Sequence, residues 1–256
     1  MKAYCNAYFK SFFLQESPHL NALVIFMKAP RPGTVKTRMI PWLSPEEAAD
    51  LYCALIQDTA AIASQVAGAT THIAFTPADA QPVLRELIDD ETIQWFLQQG
   101  DDLGDRLKLA FQKIFHEGWE RAVIIGSDSP LLPPGYIEQA FDALNSVDVV
   151  LGPATDGGYY LIGLARSARV LSCYHHIFDH ITWSTEKVYE QTVQAIRQYD
   201  LSQSDLNTWG DVDQKADLIR IAVEIQILRE QGEKILGSNT EQILKVLQTK
   251  SKLVIE

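Results

Sequence analysis

The chain has 256 residues, with 46% hydrophobic and 21% charged residues and a formal net charge of −11. That is ordinary globular composition, of a length that α/β folds often reach as one domain of ~250 residues, and it excludes disordered and fibrous classes. The acidic balance argues against nucleic-acid and anionic-membrane partners, because phosphate backbones and lipid headgroups attract basic faces, and no window reaches the ~18 apolar residues of a membrane span.

Cys5, Cys53 and Cys173 are odd in number and far apart. They indicate neither a disulfide framework nor a zinc knuckle and fit reduced thiols in a cytoplasmic protein. In the opening segment, MKAYCNAYFKSFFLQESPHL, the apolar stretches are broken by Asn6 and Lys10. With no long apolar core before a small-residue cleavage site, it reads as an N-terminal extension over residues 1–20. The main folded domain is expected over 21–231 and a C-terminal helical appendage over 232–256.

The first strand is predicted over Ala22 to Met27, an apolar run suited to burial on both faces. A loop rich in Pro and Gly follows, from Ala29 to Pro41. Ser44-Pro45-Glu46-Glu47 then opens a helix, with Ser44 as cap, Pro45 in the first turn and Glu47 completing a capping box. Ala48, Leu51, Tyr52, Leu55, Ile56, Thr59, Ile62 and Ala63 recur at helical spacing and define its buried face.

Beyond it, strands are predicted over Thr71 to Phe75 and Thr92 to Leu97, with a short helix over Ala80 to Ile88 between them. Leu103 to His116 is helical. Ala122 to Ile125 is a buried strand ending at Gly126-Ser127-Asp128-Ser129-Pro130, and a helix follows over Pro134 to Leu144. Strands over Val147 to Leu151 and Tyr159 to Leu164 flank Gly152-Pro153-Ala154-Thr155-Asp156-Gly157-Gly158. A helix over Thr185 to Gln198, capped by Ser184 or Thr185, precedes helices over Gln214–Glu230 and Asn239–Thr249. The apolar face of the first of these, Leu218, Ile219, Ile221, Ala222, Ile225 and Leu228, fits packing on the core or on a twin subunit in a homodimer. Strands alternating with helices at this pace predict an open, largely parallel sheet covered on both faces, a three-layer α/β/α sandwich. Such sheets bind ligands beyond the carboxyl ends of their strands.

The loop after the first strand carries Lys28, Arg31, Lys36 and Arg38 with no acidic residue among them. Gly33 lets backbone amides approach a ligand, Lys36 supplies a point charge and Arg38 a planar fork, which together suit phosphate; otherwise the segment is a solvated basic loop. Val35 before Lys36-Thr37 excludes a Walker A motif, and no G-x-G-x-x-G follows the strand. Asp128, just past a buried strand, is either a turn former or a metal ligand. Mg²⁺ takes one or two protein carboxylates and fills its shell with phosphate oxygens and water. Asp211-Val212-Asp213 is the candidate for a second carboxylate, although Asp213 would also serve as a helix cap. Asp156-Gly157-Gly158-Tyr159-Tyr160 is either a hairpin turn or a place where a ligand approaches closely, with a tyrosine available to stack. His19, His72, His116, His175, His176 and His180 show no ligand spacing.

The run LVIFMKAPRPGTVKTRMIPWL, then QGDDLGDRL, IIGSDSPLLPP, GPATDGGYYLIGL, FDHITWST and DVDQKADL, closely resembles a bacterial glycosyltransferase-like family, some of whose members are described as arsenosugar-biosynthesis glycosyltransferases. The blocks run in order from about residue 21 to 220. The family looks related to the molybdenum-cofactor and phospholactate guanylyltransferases. The resemblance implies the nucleotide-diphospho-sugar transferase (GT-A) fold, a Rossmann-like sandwich. It implies nucleotide and phosphate contacts from Pro30, Arg31, Gly33, Lys36, Arg38 and Arg106, and a Mg²⁺ or Mn²⁺ ion on Asp128 and Asp213. Gly157, Gly158 and Tyr159 would meet the second substrate. Ser127-Asp128-Ser129 departs from the Asp-x-Asp of many GT-A glycosyltransferases.

Three functions follow as expectations. The leading one is sugar transfer from a nucleotide-diphospho-sugar to a small-molecule acceptor, with Asp156 or Asp179 as acceptor base if the reaction inverts. The second is nucleotidyl transfer with release of pyrophosphate, and the third is non-catalytic binding of a nucleotide sugar.

Overall fold

A computed structural model of the chain describes residues 20–40, 42–233, 235–250 and 252. Cys5 and almost all of the expected N-terminal extension fall outside the described residues. The strands are β1 (Asn21–Lys28), β2 (Ala69–Thr76), β3 (Gln94–Leu97), β4 (Arg121–Ile125), β5 (Val149–Pro153), β6 (Tyr159–Ala165) and β7 (Gln203–Asp205). They form one sheet in the order β3-β2-β1-β4-β6-β5-β7. The β1–β2, β1–β4, β2–β3 and β5–β7 pairs are parallel, and β6 runs antiparallel to both β4 and β5. This is the mostly parallel sheet expected from the alternation of strands and helices.

The helices are α1 (Pro45–Ala63), α2 (Gln81–Leu87), α3 (Leu103–His116), α4 (Pro134–Ala143), α5 (Ala168–Cys173), α6 (Val188–Gln198), α7 (Lys215–Glu230) and α8 (Ser238–Thr249). Strand side chains alternate between faces, and β1 divides accordingly. Leu23, Ile25 and Met27 enter one core with Leu55 of α1, Leu84 of α2, Ile137 of α4, Leu218 of α7 and Leu244 of α8. Ala22 and Val24 enter the other with Leu107 and Phe111 of α3, Val170 of α5 and Ile196 of α6. The result is the three-layer α/β/α sandwich. The apolar face of α7 packs on this chain's own core through Leu218, Ile221, Ala222 and Ile225.

The predicted start of α1 is realised in full: Ser44 Oγ accepts from Glu47 N, and Glu47 Oε2 accepts from Ser44 N at 2.9 Å. The predicted start of α6 is a correction. The helix begins at Val188 with Lys187 as its cap residue. Ser184 lies at φ 65, and Thr185 Oγ1 donates to Thr182 O, so these residues make a turn before the helix. Helix α5, the 3-10 turn Tyr174–Phe178 and β7 were not foreseen. The first two are shorter than any stretch in which helical periodicity can be read, and β7 is three polar residues, Gln203-Ser204-Asp205.

The segment from residue 232 onward, set apart as an appendage by sequence, packs α8 on α1 through Leu244 and Leu247. Two acidic residues strengthen this corner. Lys252 and Lys250, with the Ser44 amide, hold the Glu47 carboxyl down at about 2, and Arg229 and Lys245 hold Glu241 at about 2. Carboxylates depressed below their unfolded value of about 4.5 contribute stability that is present above that pH and lost as pH falls toward 2. The basic partners of both carboxylates reach into solvent, which screens the attraction, so each carboxylate should contribute no more than about 1 kcal/mol. Glu47→Gln and Glu241→Gln should therefore flatten the acid limb of the stability curve and leave stability near pH 2 unchanged; an unaltered acid limb in chemical denaturation would contradict this.

Candidate functional site

Charged side chains gather where β1 and β4 end side by side. After β1, Ala29 N donates to Thr76 O at the end of β2, and a turn closes with Thr34 N on Arg31 O. Gly33 sits at φ 76 with no atom within 4 Å of where a Cβ would stand, so its backbone faces open space. Lys36 follows at φ 47, a left-handed conformation uncommon for a residue with a side chain, and leads into the 3-10 turn Thr37–Met39. Beneath the loop, the buried Tyr52 of α1 accepts from Lys28 N at 3.1 Å and bonds Ser127 Oγ at 2.8 Å, tying the two strand ends together.

The stretch before α7 completes the site. Trp209 N donates to Pro153 O, Thr155 N to Trp209 O, and Val212 N to Asp128 O at 2.9 Å. These bonds lay residues 209–213 along the ends of β4 and β5, bringing Asp211 and Asp213 to Asp128. Arg220 of α7 braces the stretch by donating to Gly210 O and Asp211 O.

Lys36 lies at the centre. Its Nζ is 2.5 Å from Asp128 Oδ1 and 3.0 Å from Asp213 Oδ1, and its side chain is 4% exposed against 36% and 40% for the two aspartates. It also donates to Val212 O at 2.7 Å. Asp128 Oδ1 is closed to solvent, and its contact with Lys36 is an ion pair. Burial by itself favours the neutral amine, but the charges of Asp128 and Asp213 outweigh it and raise the Lys36 pKa. Arg38 approaches Asp213 Oδ2 at 3.3 Å from the solvent side. Asp211 lies deeper. Burial, then the charge of Asp128, pushes its carboxyl up to about 7 despite a 2.6 Å hydrogen bond from Ser129 Oγ.

The donor set suits a hard divalent cation. Asp128 and Asp213 both reach a single cationic point, and both stay partly open to solvent. Among the described residues no group of three or more His, Cys, Asp or Glu side chains could hold an ion. Two carboxylates with the rest of the shell left to phosphate oxygens and water is the usual manner of Mg²⁺.

The remaining residues singled out by sequence fall in several places. Pro30 is half-buried in the β1 loop, and Arg31 pairs with Asp79 at 2.6 Å on the surface. Arg106 lies in the first turns of α3 with its Nε on Gly100 O at 3.3 Å. The preceding loop reaches the end of β1 through Gln98 Nε2 on Met27 O. Asp156 to Gly158 form the β5–β6 hairpin turn, in which Asp156 Oδ1 accepts from Gly158 N and the residue stays exposed. A Cβ on Gly157, at φ 88, would stand 2.2 Å from Glu186 O, so this glycine admits a neighbouring backbone. Tyr159 packs in the α6-side core with its hydroxyl closed to solvent. Asp179 is engaged by Lys108 at 2.7 Å and His176 at 2.9 Å, and Lys108 above all holds its pKa down. Asp211, Ser129 and Tyr52 belong to the cluster as well. Asp211 stood in the Asp-Val-Asp signal, but nothing in the sequence marked the other two.

A groove of about 360 Å³, lined by residues including Ala60, Ser64, Val66, Thr71 and Asp90, opens at the opposite end of the sheet, where β2 begins. No lysine or arginine side chain lines it, and the charge cluster is the better guide to chemistry.

The family described as "Uncharacterized protein conserved in bacteria (DUF2064)" matches residues 59–185. A candidate nucleotide-diphospho-sugar transferase from Desulfovibrio desulfuricans G20 has a crystal structure that superposes with a TM-score of 0.79. It is 32% identical, over 90% of this chain and 95% of that one. A 2-phospho-L-lactate guanylyltransferase of Methanocaldococcus vulcanius is 23% identical over 190 residues, 74% of this chain and 82% of the relative. A phosphoenolpyruvate guanylyltransferase of Chloroflexus aggregans is 26% identical over 119 residues, 46% of this chain and 59% of its own. CMP:2-keto-3-deoxy-manno-octonic acid synthetase, solved with CTP, shares the fold at a TM-score of 0.53 and 15% identity, over 81% of this chain and 99% of its own.

Proposed function

The chain belongs to the DUF2064 family of bacterial proteins, and from that premise we propose that it transfers a sugar from a nucleotide-diphospho-sugar to a small-molecule acceptor. The relatives support a nucleotidyl or glycosyl transferase in general. The observation that carries the reading is the convergence of Asp128 and Asp213 on one cation beside the open Gly33 loop. Asp128 and Asp213 would hold Mg²⁺ or Mn²⁺, which when bound neutralises charge on a departing nucleoside diphosphate. Lys36 and Arg38 add positive charge to the same phosphates, and Gly33 offers them its backbone amide. In this reading Asp156, exposed on the hairpin turn beside Thr155, whose amide donates to Trp209 O, would be the group that takes a proton from an acceptor hydroxyl. Asp179 is committed to Lys108 and His176 and positions that corner instead.

Nucleotidyl transfer is the second reading, favoured by the two guanylyltransferase relatives. It needs no acceptor base when the nucleophile is already anionic. Incubation with nucleotide sugars and with nucleoside triphosphates, each with Mn²⁺ or Mg²⁺, separates the two. Release of a nucleoside diphosphate from a nucleotide sugar is the expected result. Pyrophosphate from a triphosphate alone would transfer the assignment to the second reading. Binding without either product would leave a nucleotide-sugar-binding protein. No helix among the described residues is long and apolar enough to cross a membrane.

A further inference from the structure

The cation between the two carboxylates is one that the chain itself supplies. The Lys36 ammonium has three oxygens around it, Asp128 Oδ1 at 2.5 Å, Asp213 Oδ1 at 3.0 Å and Val212 O at 2.7 Å, and almost no exposure. We propose that Lys36 is a displaceable counter-cation: it closes the Asp128–Asp213 pair to free divalent ions and gives way when the phosphates of a bound nucleotide offer its ammonium a new anionic partner. The inference rests on the proposed function, since it takes Asp128 and Asp213 as the metal-holding pair.

Two cations cannot share these carboxylates closely without strong repulsion, so a metal ion entering here has to compete with the ammonium. Movement of the side chain clears the position. Lysine carries its charge on a flexible four-carbon stem, so the ammonium can relocate while the backbone stays. The backbone around it is arranged for such an exchange. Lys36 is held left-handed at φ 47, three residues after the open Gly33. Left-handed non-glycine residues cluster at ligand clamps and switch regions. Val212 O holds the ammonium on the protein side, and Arg38 stands on the solvent side of Asp213 as a second cation that keeps that carboxylate partnered. Metal and nucleotide should therefore bind as a coupled pair, each strengthening the other by the same factor.

The test is Mn²⁺ titration of the full-length protein, followed calorimetrically and by the electron paramagnetic resonance of free Mn²⁺, with and without GDP or UDP. Lys36→Met should bind Mn²⁺ alone at least tenfold more tightly than the native protein, and the gain on adding nucleotide should shrink by a similar factor. Lys36→Gln, which keeps a hydrogen-bonding head, serves if the Met variant does not fold. A readout on the native protein needs no variant. In crystals soaked with Mn²⁺ and GDP, Lys36 Nζ should have left Asp213, whereas an ammonium still between both carboxylates with metal bound overturns the proposal. Equal Mn²⁺ affinity in native and Lys36 variants overturns it too, yet leaves the transferase reading intact. Failure of every form to bind Mn²⁺, with or without nucleotide, overturns both.

Discussion

Asp128→Asn is expected to lower kcat/KM for the matched donor by about 10²–10³-fold, the loss typical of removing one preorganised electrostatic group from a reacting site. The substitution keeps the volume of the side chain and leaves the backbone bond from Val212 N to Asp128 O. It removes the carboxylate that Lys36 meets at 2.5 Å and that a divalent ion would share with Asp213. A thermal melt close to that of the native protein would separate lost chemistry from lost folding. Arg31→Ala is the internal comparison. Arg31 is exposed and paired with the exposed Asp79, so its removal should cost less than tenfold. If Asp128→Asn retains more than about a third of native activity, Asp128 is a turn residue and the metal-centred account fails.

Asp58→Ala should be the most damaging substitution to stability away from the site. Asp58 is fully buried in α1, and its carboxylate accepts from Asn239 N at 3.0 Å, Asn239 Nδ2 at 2.8 Å, Thr240 N at 2.8 Å and Thr240 Oγ1 at 2.6 Å. It thus satisfies amides in the first turn of α8 from another helix, a cap supplied across the fold. Alanine leaves the buried Thr240 donors unpartnered and opens a small void. Each orphaned buried group costs about 1–3 kcal/mol, so a total near 3 kcal/mol is expected. For a chain of this size that lowers the melting temperature by roughly 6–12 °C. Asp58→Asn should recover part of the loss, because one oxygen still accepts while the amide faces donors. A shift of less than about 2 °C for Asp58→Ala would show that α8 is docked by Leu244 and Leu247 alone.

Asp58 also marks where sequence reading stops. A buried aspartate inside an amphipathic helix gives no local hint of a partner that lies beyond α7, whereas Ser44 and Glu47 announce their bond because both ends sit within one turn. The same distinction governs the site. Lys36 and Asp128 were legible as candidates because each follows a buried apolar strand, where α/β sheets place their ligands; the need for a second carboxylate pointed only to the Asp211-Val212-Asp213 stretch, within which the family resemblance singled out Asp213. Their closing on one ammonium was not legible, since it depends on residues 209–213 crossing the ends of β4 and β5. Tyr52 was read only as a core residue, since its spacing is that of the buried face of α1. The role of its hydroxyl between β1 and β4 requires the packed structure. Asp-Gly-Gly-Tyr showed its turn, but Gly157 is small to admit Glu186, and the Tyr159 hydroxyl is buried against α6; both facts are tertiary. Helix α6 starts later than its sequence suggests because Ser184 and Thr185 resemble a cap in sequence and make a turn in space.

A nucleotide diphosphate and a divalent ion are expected to meet at Asp128, Lys36 and Asp213. Crystals soaked with GDP or UDP and Mn²⁺, measured at a wavelength where manganese scatters anomalously, test it most directly. The expected result is a manganese peak within bonding distance of Asp128 and Asp213, with the diphosphate against the Gly33–Arg38 loop. A nucleotide bound elsewhere, such as in the groove beside Ala60 and Asp90, or a diphosphate with no manganese near Asp128, would contradict it.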